Sequence, residues 1–105
     1  RFGGNIDWTG IEHARTKMWH RQSHIFLVPF YYIEYGIAQL GSLWVWKNSK
    51  VDRAKALQDY KDSLALCGSR PLPELFNAAG APFSFDTEAF KPLIELVQTE
   101  LAALN

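Results

Sequence analysis

Three histidines give the first hint of chemistry in this sequence. His13, His20 and His24 are spaced seven and four residues apart, which on one continuous helix would set three imidazoles along a single side. Two histidines four apart can chelate zinc, but the strong form of that signal is His-Glu-x-x-His, whose glutamate serves as a general base. Here Arg21 follows His20, so the glutamate is missing and a cation stands beside the supposed ligands. A three-histidine metal site is a rival reading, behind solvated or hydrogen-bonded imidazoles.

His24 also opens a second group with Tyr31, Tyr32 and Tyr35. Imidazole and phenol both donate hydrogen bonds at neutral pH. A tyrosine phenol ordinarily titrates near about 10, so it can stabilise charge developing on an oxygen without losing its own proton. Tyr31 and Tyr35 stand one helical turn apart, and Tyr32 and Tyr35 are also near neighbours on a helix. From spacing alone the plainer account is preferred, in which these aromatics are core and each hydroxyl meets a backbone carbonyl. Glu34, on a stretch this apolar, needs a partner, a proton or a cavity, and Arg15 or Arg21 could supply the ion pair. Arg70 suits either a carboxylate clamp or a solvated loop. Cys67 reads as a small core residue near a helix end.

The elements that must position these residues are all helical. Thr9 followed by Glu12 has the capping-box arrangement and predicts a helix from near Gly10 to about His24. Pro29 predicts the start of a central helix reaching about Trp46, because proline is tolerated in a first turn. Phe30, Ile33, Ile37, Leu40 and Trp44 form one apolar stripe of that helix, and Tyr31, Tyr35, Ala38 and Val45 a second. Two apolar sides imply burial between neighbours, with Gly36 and Gly41 admitting a close helix backbone. Asp52 caps a third helix whose Ala54, Leu57, Tyr60 and Leu64 share a face, and Gly68 ends it in a left-handed turn. A short helix follows around Pro73 to Ala79, closed by Gly80. The last helix has Asp86 as its cap, with Phe90, Ile94, Val97, Leu101 and Leu104 facing inward, and its regular part begins near Lys91 because of Pro92. No run alternates as a strand does. The expected architecture is all-α: a small bundle of four to five helices around a long buried central helix, without a sheet, forming one domain over residues 1–105.

Composition narrows the function. With 105 residues, of which 48% are hydrophobic and 21% charged, the chain has enough apolar material for a core. Lysine plus arginine equals aspartate plus glutamate at 11 each, so no charge surplus draws it to nucleic acid or anionic lipid. The stretch Ile25 to Trp46 is long enough to span a bilayer. Glu34, Gln39 and Pro29 lie within it, and its aromatics are spread throughout instead of gathering at the two ends, so it reads as a core helix and no membrane is expected. The lone Cys67 fits a reducing, cytoplasmic setting.

The run from His24 through Pro29-Phe30-Tyr31-Tyr32-Ile33-Glu34-Tyr35-Gly36 to Gly41 resembles the segment near the C-terminus of oligoendopeptidase F-type zinc metallopeptidases, relatives of thimet oligopeptidase. Asp59-Tyr60-Lys61, Gly68-Ser69-Arg70-Pro71-Leu72-Pro73-Glu74-Leu75-Phe76 and Ala78-Ala79-Gly80 are similar to that family's closing helices. The likeness is collinear from about Arg1 to Leu104. In the family, zinc is held by a His-Glu-x-x-His helix and a further glutamate, all upstream of the region matched here, and none of these occurs in this sequence. The resemblance therefore implies the C-terminal part of a larger enzyme, with zinc in the parent and no cofactor bound by this chain. It implies that His24 and the cluster Tyr31, Tyr32 and Tyr35 hydrogen-bond a peptide substrate and its oxyanion. Tyr31 and Tyr35 are the favoured oxyanion donors, since a continuous helix would give them one face.

The expected partners are a peptide substrate in the parent enzyme, the missing N-terminal catalytic half and, for the isolated chain, a second copy of itself. The main alternative is a stand-alone helical interaction module. Alone, the chain should hydrolyse nothing.

Overall fold

The computed structural model describes residues 5–104, and among them there are six α-helices and no strand. These are α1 (Glu12–Lys17), α2 (His24–Leu27), α3 (Ile33–Val51), α4 (Arg53–Leu66), α5 (Leu72–Ala78) and α6 (Thr87–Ala102). The all-α expectation holds. The chain forms two compact units, Arg1–Glu34 and Tyr35–Asn105, which are described separately.

In the first unit the start of α1 departs from the expected capping box. The Asp7 carboxylate accepts from both the hydroxyl (2.6 Å) and the amide (2.9 Å) of Thr9, and these bonds hold its pKa below the ordinary carboxylate value. Thr9 is thereby engaged from behind. Gly10 takes a left-handed conformation, and its amide donates to the Glu12 carboxylate at 3.1 Å. The helix starts at Glu12, later than expected.

It also ends sooner. After Lys17 the chain tightens into a 3₁₀ turn over Met18–Arg21, and Gln22 leaves helical space altogether at ψ 87°. Helix α2 is then only four residues long. Val28 leaves the helical region (φ −137°, ψ 78°), in keeping with the resistance of a pre-proline residue to the α conformation. The trade is physical: a pre-proline residue resists the α region, so Pro29 stops the preceding helix and does not open the next one.

The second unit holds α3 from Tyr35 onward, with α4, α5 and α6. Asp52 is the single non-helical residue between α3 and α4, and it caps α4 as expected, accepting from the Lys55 amide at 3.0 Å. Gly80 closes α5 with φ +69°. Asn48 on α3 donates to the Gly80 carbonyl at 2.9 Å, tying the turn after α5 back to α3. Asp86 caps α6, accepting from the Ala89 amide at 2.8 Å. The Ser84 hydroxyl, then that amide, lower the Asp86 pKa below its ordinary value. With its first turn secured, α6 begins at Thr87 and runs straight through Pro92. The expected start near Lys91 is corrected: one missing amide is tolerated when the turn before it is anchored.

Burial differs from the periodicity reading in three places. Helix α3 is the longest, yet none of its side chains is fully enclosed; it is half-buried, with one flank open. On α4 the buried residues are Ala56 and Ser63, while Leu57, Tyr60 and Leu64 are exposed. Small side chains permit close packing of the helix, and the large ones are left at the rim. On α6 the enclosed residue is Leu93, at 2% exposure, and Ile94, Leu101 and Leu104 face outward. The buried hydrophobic residues in the described part are Ala56, Ala79, Ala81 and Leu93. Only one of these is large.

Gly41 shows why α5 can approach α3. A Cβ built there would lie 3.0 Å from the Phe76 ring, so glycine makes room for an aromatic side chain and not for the helix backbone that was expected. Around Gly36 nothing lies within 4 Å. Phe76 meets Phe83 edge-on at 5.1 Å between ring centroids, and Phe83 meets Phe85 in the same way at 5.1 Å. Such edge contacts add about 0.5–1.5 kcal/mol each beyond area burial. Lys50 of α3 pairs with Glu100 of α6 at 2.9 Å, an exposed link between the two helices. Cys67, not Gly68, takes the positive φ (49°) after α4, and its side chain is exposed, contrary to a core position.

Candidate functional site

The segment from His24 to Tyr35 is built from α2, a turn at residues 29–32 and the first turn of α3. Phe30 sits in the left-handed region (φ 64°) and is almost wholly exposed. A bulky residue rarely adopts that conformation. The Tyr31 amide donates to the Val28 carbonyl at 3.2 Å, and the Glu34 amide to the Tyr31 carbonyl at 3.0 Å, so the turn leads directly into α3.

This geometry corrects one expectation. Tyr31 lies in the turn and Tyr35 in the helix, so they do not share a helical face. The structure instead brings His24 and Tyr32 together, with ring centroids 5.5 Å apart and planes tilted by 39°. All three tyrosines are exposed, at 51% for Tyr31, 45% for Tyr32 and 57% for Tyr35. They are not the enclosed core aromatics that spacing alone favoured. Ile25, Phe26, Leu27 and Val28 are exposed beside them. Within the first unit this sets the His24 imidazole and the Tyr31 and Tyr32 phenols among exposed apolar side chains, groups that can hydrogen-bond a peptide backbone.

The other sequence candidates fall apart or find plainer roles. His13 lies on α1, His20 in the 3₁₀ turn and His24 on α2, with the helix broken between the last two. His20 instead packs against Trp19 (3.9 Å between centroids), whose ring stacks on Phe26 at 5.6 Å. Among the described residues, no group of three or more His, Cys, Asp or Glu side chains could hold a metal ion. Glu34 is exposed in the first turn of α3, where helix amides favour an anion. It therefore has no need of the Arg15 or Arg21 partner that a buried position would demand. Arg70 sits 4.0 Å from Glu74, one turn along, and both are exposed. No described helix is long and apolar enough to cross a membrane.

One feature escaped the sequence reading. Between α3, α4 and α5 lies an open apolar groove of about 600 Å³. It is lined by Ala38, Gly41, Ser42, Val45, Trp46 and Ser49 of α3, with Tyr60, Leu64, Cys67 and Phe76 among the residues of the other elements. No charged residue lines it. The signal in the sequence is the set of small residues Ala38, Gly41, Ser42 and Ser49 on one side of α3.

No protein-family model matches the chain, and neither a curated protein nor a solved structure does.

Proposed function

We propose that this chain is the C-terminal substrate-binding part of a cytoplasmic zinc-dependent oligoendopeptidase. The observation that supports the reading is the exposure of Tyr31, Tyr32 and Tyr35 on a segment entered just after His24. In this reading His24 and Tyr32 hydrogen-bond the peptide backbone, either Tyr31 or Tyr35 donates to the oxyanion, and exposed apolar side chains nearby receive peptide side chains. In this reading the metal belongs to the catalytic half. This chain binds and orients.

The test begins with the chain alone. Purified, it should retain no stoichiometric zinc and leave a quenched fluorescent peptide uncleaved. Mixed with a zinc-bearing oligoendopeptidase half that lacks its own C-terminal region, it should restore cleavage. Chelator-sensitive hydrolysis by the isolated chain, or no restoration in the mixture, would reject the reading.

The open groove favours a second reading, a helical interaction module without catalytic activity, since solvent-exposed apolar surfaces of this kind mark association sites.

A further inference from the structure

Helix α2, which carries His24, is too short to hold itself. Its four residues make barely one turn, in which the Leu27 amide donates to the Ser23 carbonyl (2.9 Å) and the Val28 amide to the His24 carbonyl (3.1 Å). A single turn fixes more backbone than its few bonds repay. What sits against it is aromatic. From the preceding 3₁₀ turn, Trp19 stacks on Phe26 at 5.6 Å between ring centroids. From the turn that follows, Tyr32 meets His24 at 5.5 Å. One ring braces α2 from before it and one from after it.

The second brace depends on the turn at Pro29. Val28 leaves helical space, Phe30 takes the left-handed conformation, and the Tyr31 amide closes on the Val28 carbonyl at 3.2 Å. These steps return the chain to α2, so that Tyr32 meets the first residue of the helix. His24 is half-buried, and Tyr32 is 45% exposed. An imidazole free to turn about its two side-chain torsions would offer a peptide many orientations, few of them productive. A ring packed against it removes most of them, which is how a neighbouring side chain fixes a binding group. The contact is made ring to ring, with the planes tilted by 39°, and needs no hydroxyl.

We infer that Tyr32 is a positioning residue, whose ring holds the His24 imidazole in the orientation that meets the peptide. The inference rests on the peptidase reading for the peptide, and on the His24–Tyr32 contact for the positioning. It gives the two parts of the Tyr32 side chain separate duties: the hydroxyl bonds the peptide directly, and the ring acts through His24. Phenylalanine keeps the second duty and loses the first. Leucine, of comparable reach but without a ring, loses both.

Two measurements with the full chain test it. In the NMR spectrum of the chain alone, the ring protons of Tyr32 and His24 should show a nuclear Overhauser contact. Tyr32→Phe should keep that contact and leave the His24 ring resonances near their places, whereas Tyr32→Leu should move them. Absence of the contact in the unmodified chain, or resonances that move as far with phenylalanine as with leucine, would overturn the inference. Both substitutions fall at an exposed position and should leave helicity by circular dichroism unchanged. In a peptidase completed with this chain, Tyr32→Leu should raise KM about threefold to tenfold above Tyr32→Phe, the worth of one aromatic pair, with kcat little changed. The two variants should become equal once His24 is replaced by alanine, because the ring then has nothing to hold. A gap that persists in the His24→Ala background overturns the inference while the peptidase reading stands. A mixture that never cleaves rejects the peptidase reading instead, and the NMR result still decides whether the ring holds the imidazole.

Discussion

Turnover of a zinc-bearing oligoendopeptidase half completed with this chain should fall about a hundredfold to a thousandfold when the oxyanion-donating tyrosine is changed to phenylalanine. The loss belongs in kcat more than in KM, because a donor aimed at developing charge acts on the transition state and little on the bound peptide. One of the two variants Tyr31→Phe and Tyr35→Phe is expected to show it. Tyr32→Phe should do less, since Tyr32 lies against the His24 ring and is assigned to holding the backbone. His24→Ala should raise KM for the same reason. Steady-state kinetics on one fluorogenic peptide separates these outcomes. If all three phenylalanine variants stay within about twofold of the parent, the phenols do not carry the chemistry and the assignment is lost.

The second large effect is on stability. Leu93→Ala should destabilise the second unit by about 2–5 kcal/mol, the usual range for emptying a buried leucine site. Domains of this size are stable by only about 5–15 kcal/mol, and Leu93 is the one large side chain fully enclosed among the described residues. Loss of its methyl groups therefore removes much of what holds α6 to the other helices. Ile94→Ala, one residue along but half in water, should change stability far less. Urea titration followed by circular dichroism compares the two. Equal, small effects would mean that α6 is held by the Lys50–Glu100 pair and its cap, and that the core assignment is wrong.

What the sequence revealed, and what it hid, follows one division. Features decided within a few residues were legible: Asp52 and Asp86 accept the amides they were expected to accept, and Gly80 takes its left-handed turn. Each depends on a local hydrogen bond or a local φ. Even there, near-equal competitors misled. Asp7 stands two residues before Thr9 and reached its donors first, and Cys67 took the positive φ expected of Gly68. Facing was not legible. A helix with apolar residues on more than one side offers periodicity two answers, and only packing chooses between them. On α4 the choice fell on Ala56 and Ser63, and on α6 it fell one residue away from the expected stripe. The tyrosine segment was misread for a related reason. Its helix was started at Pro29, but the restraint that proline places on Val28, with the left-handed Phe30 beyond it, delayed α3 to Ile33 and moved Tyr31 off the helix.

The scarcity of enclosed side chains has a thermal consequence. Unfolding raises heat capacity chiefly by wetting apolar surface, at roughly 12–15 cal/mol/K per residue in ordinary domains. A chain whose leucines and aromatics are already largely hydrated has less left to wet, so its increment must be smaller. Its free energy of unfolding then bends little between cold and warm, and melting becomes a broad slope in place of a sharp step.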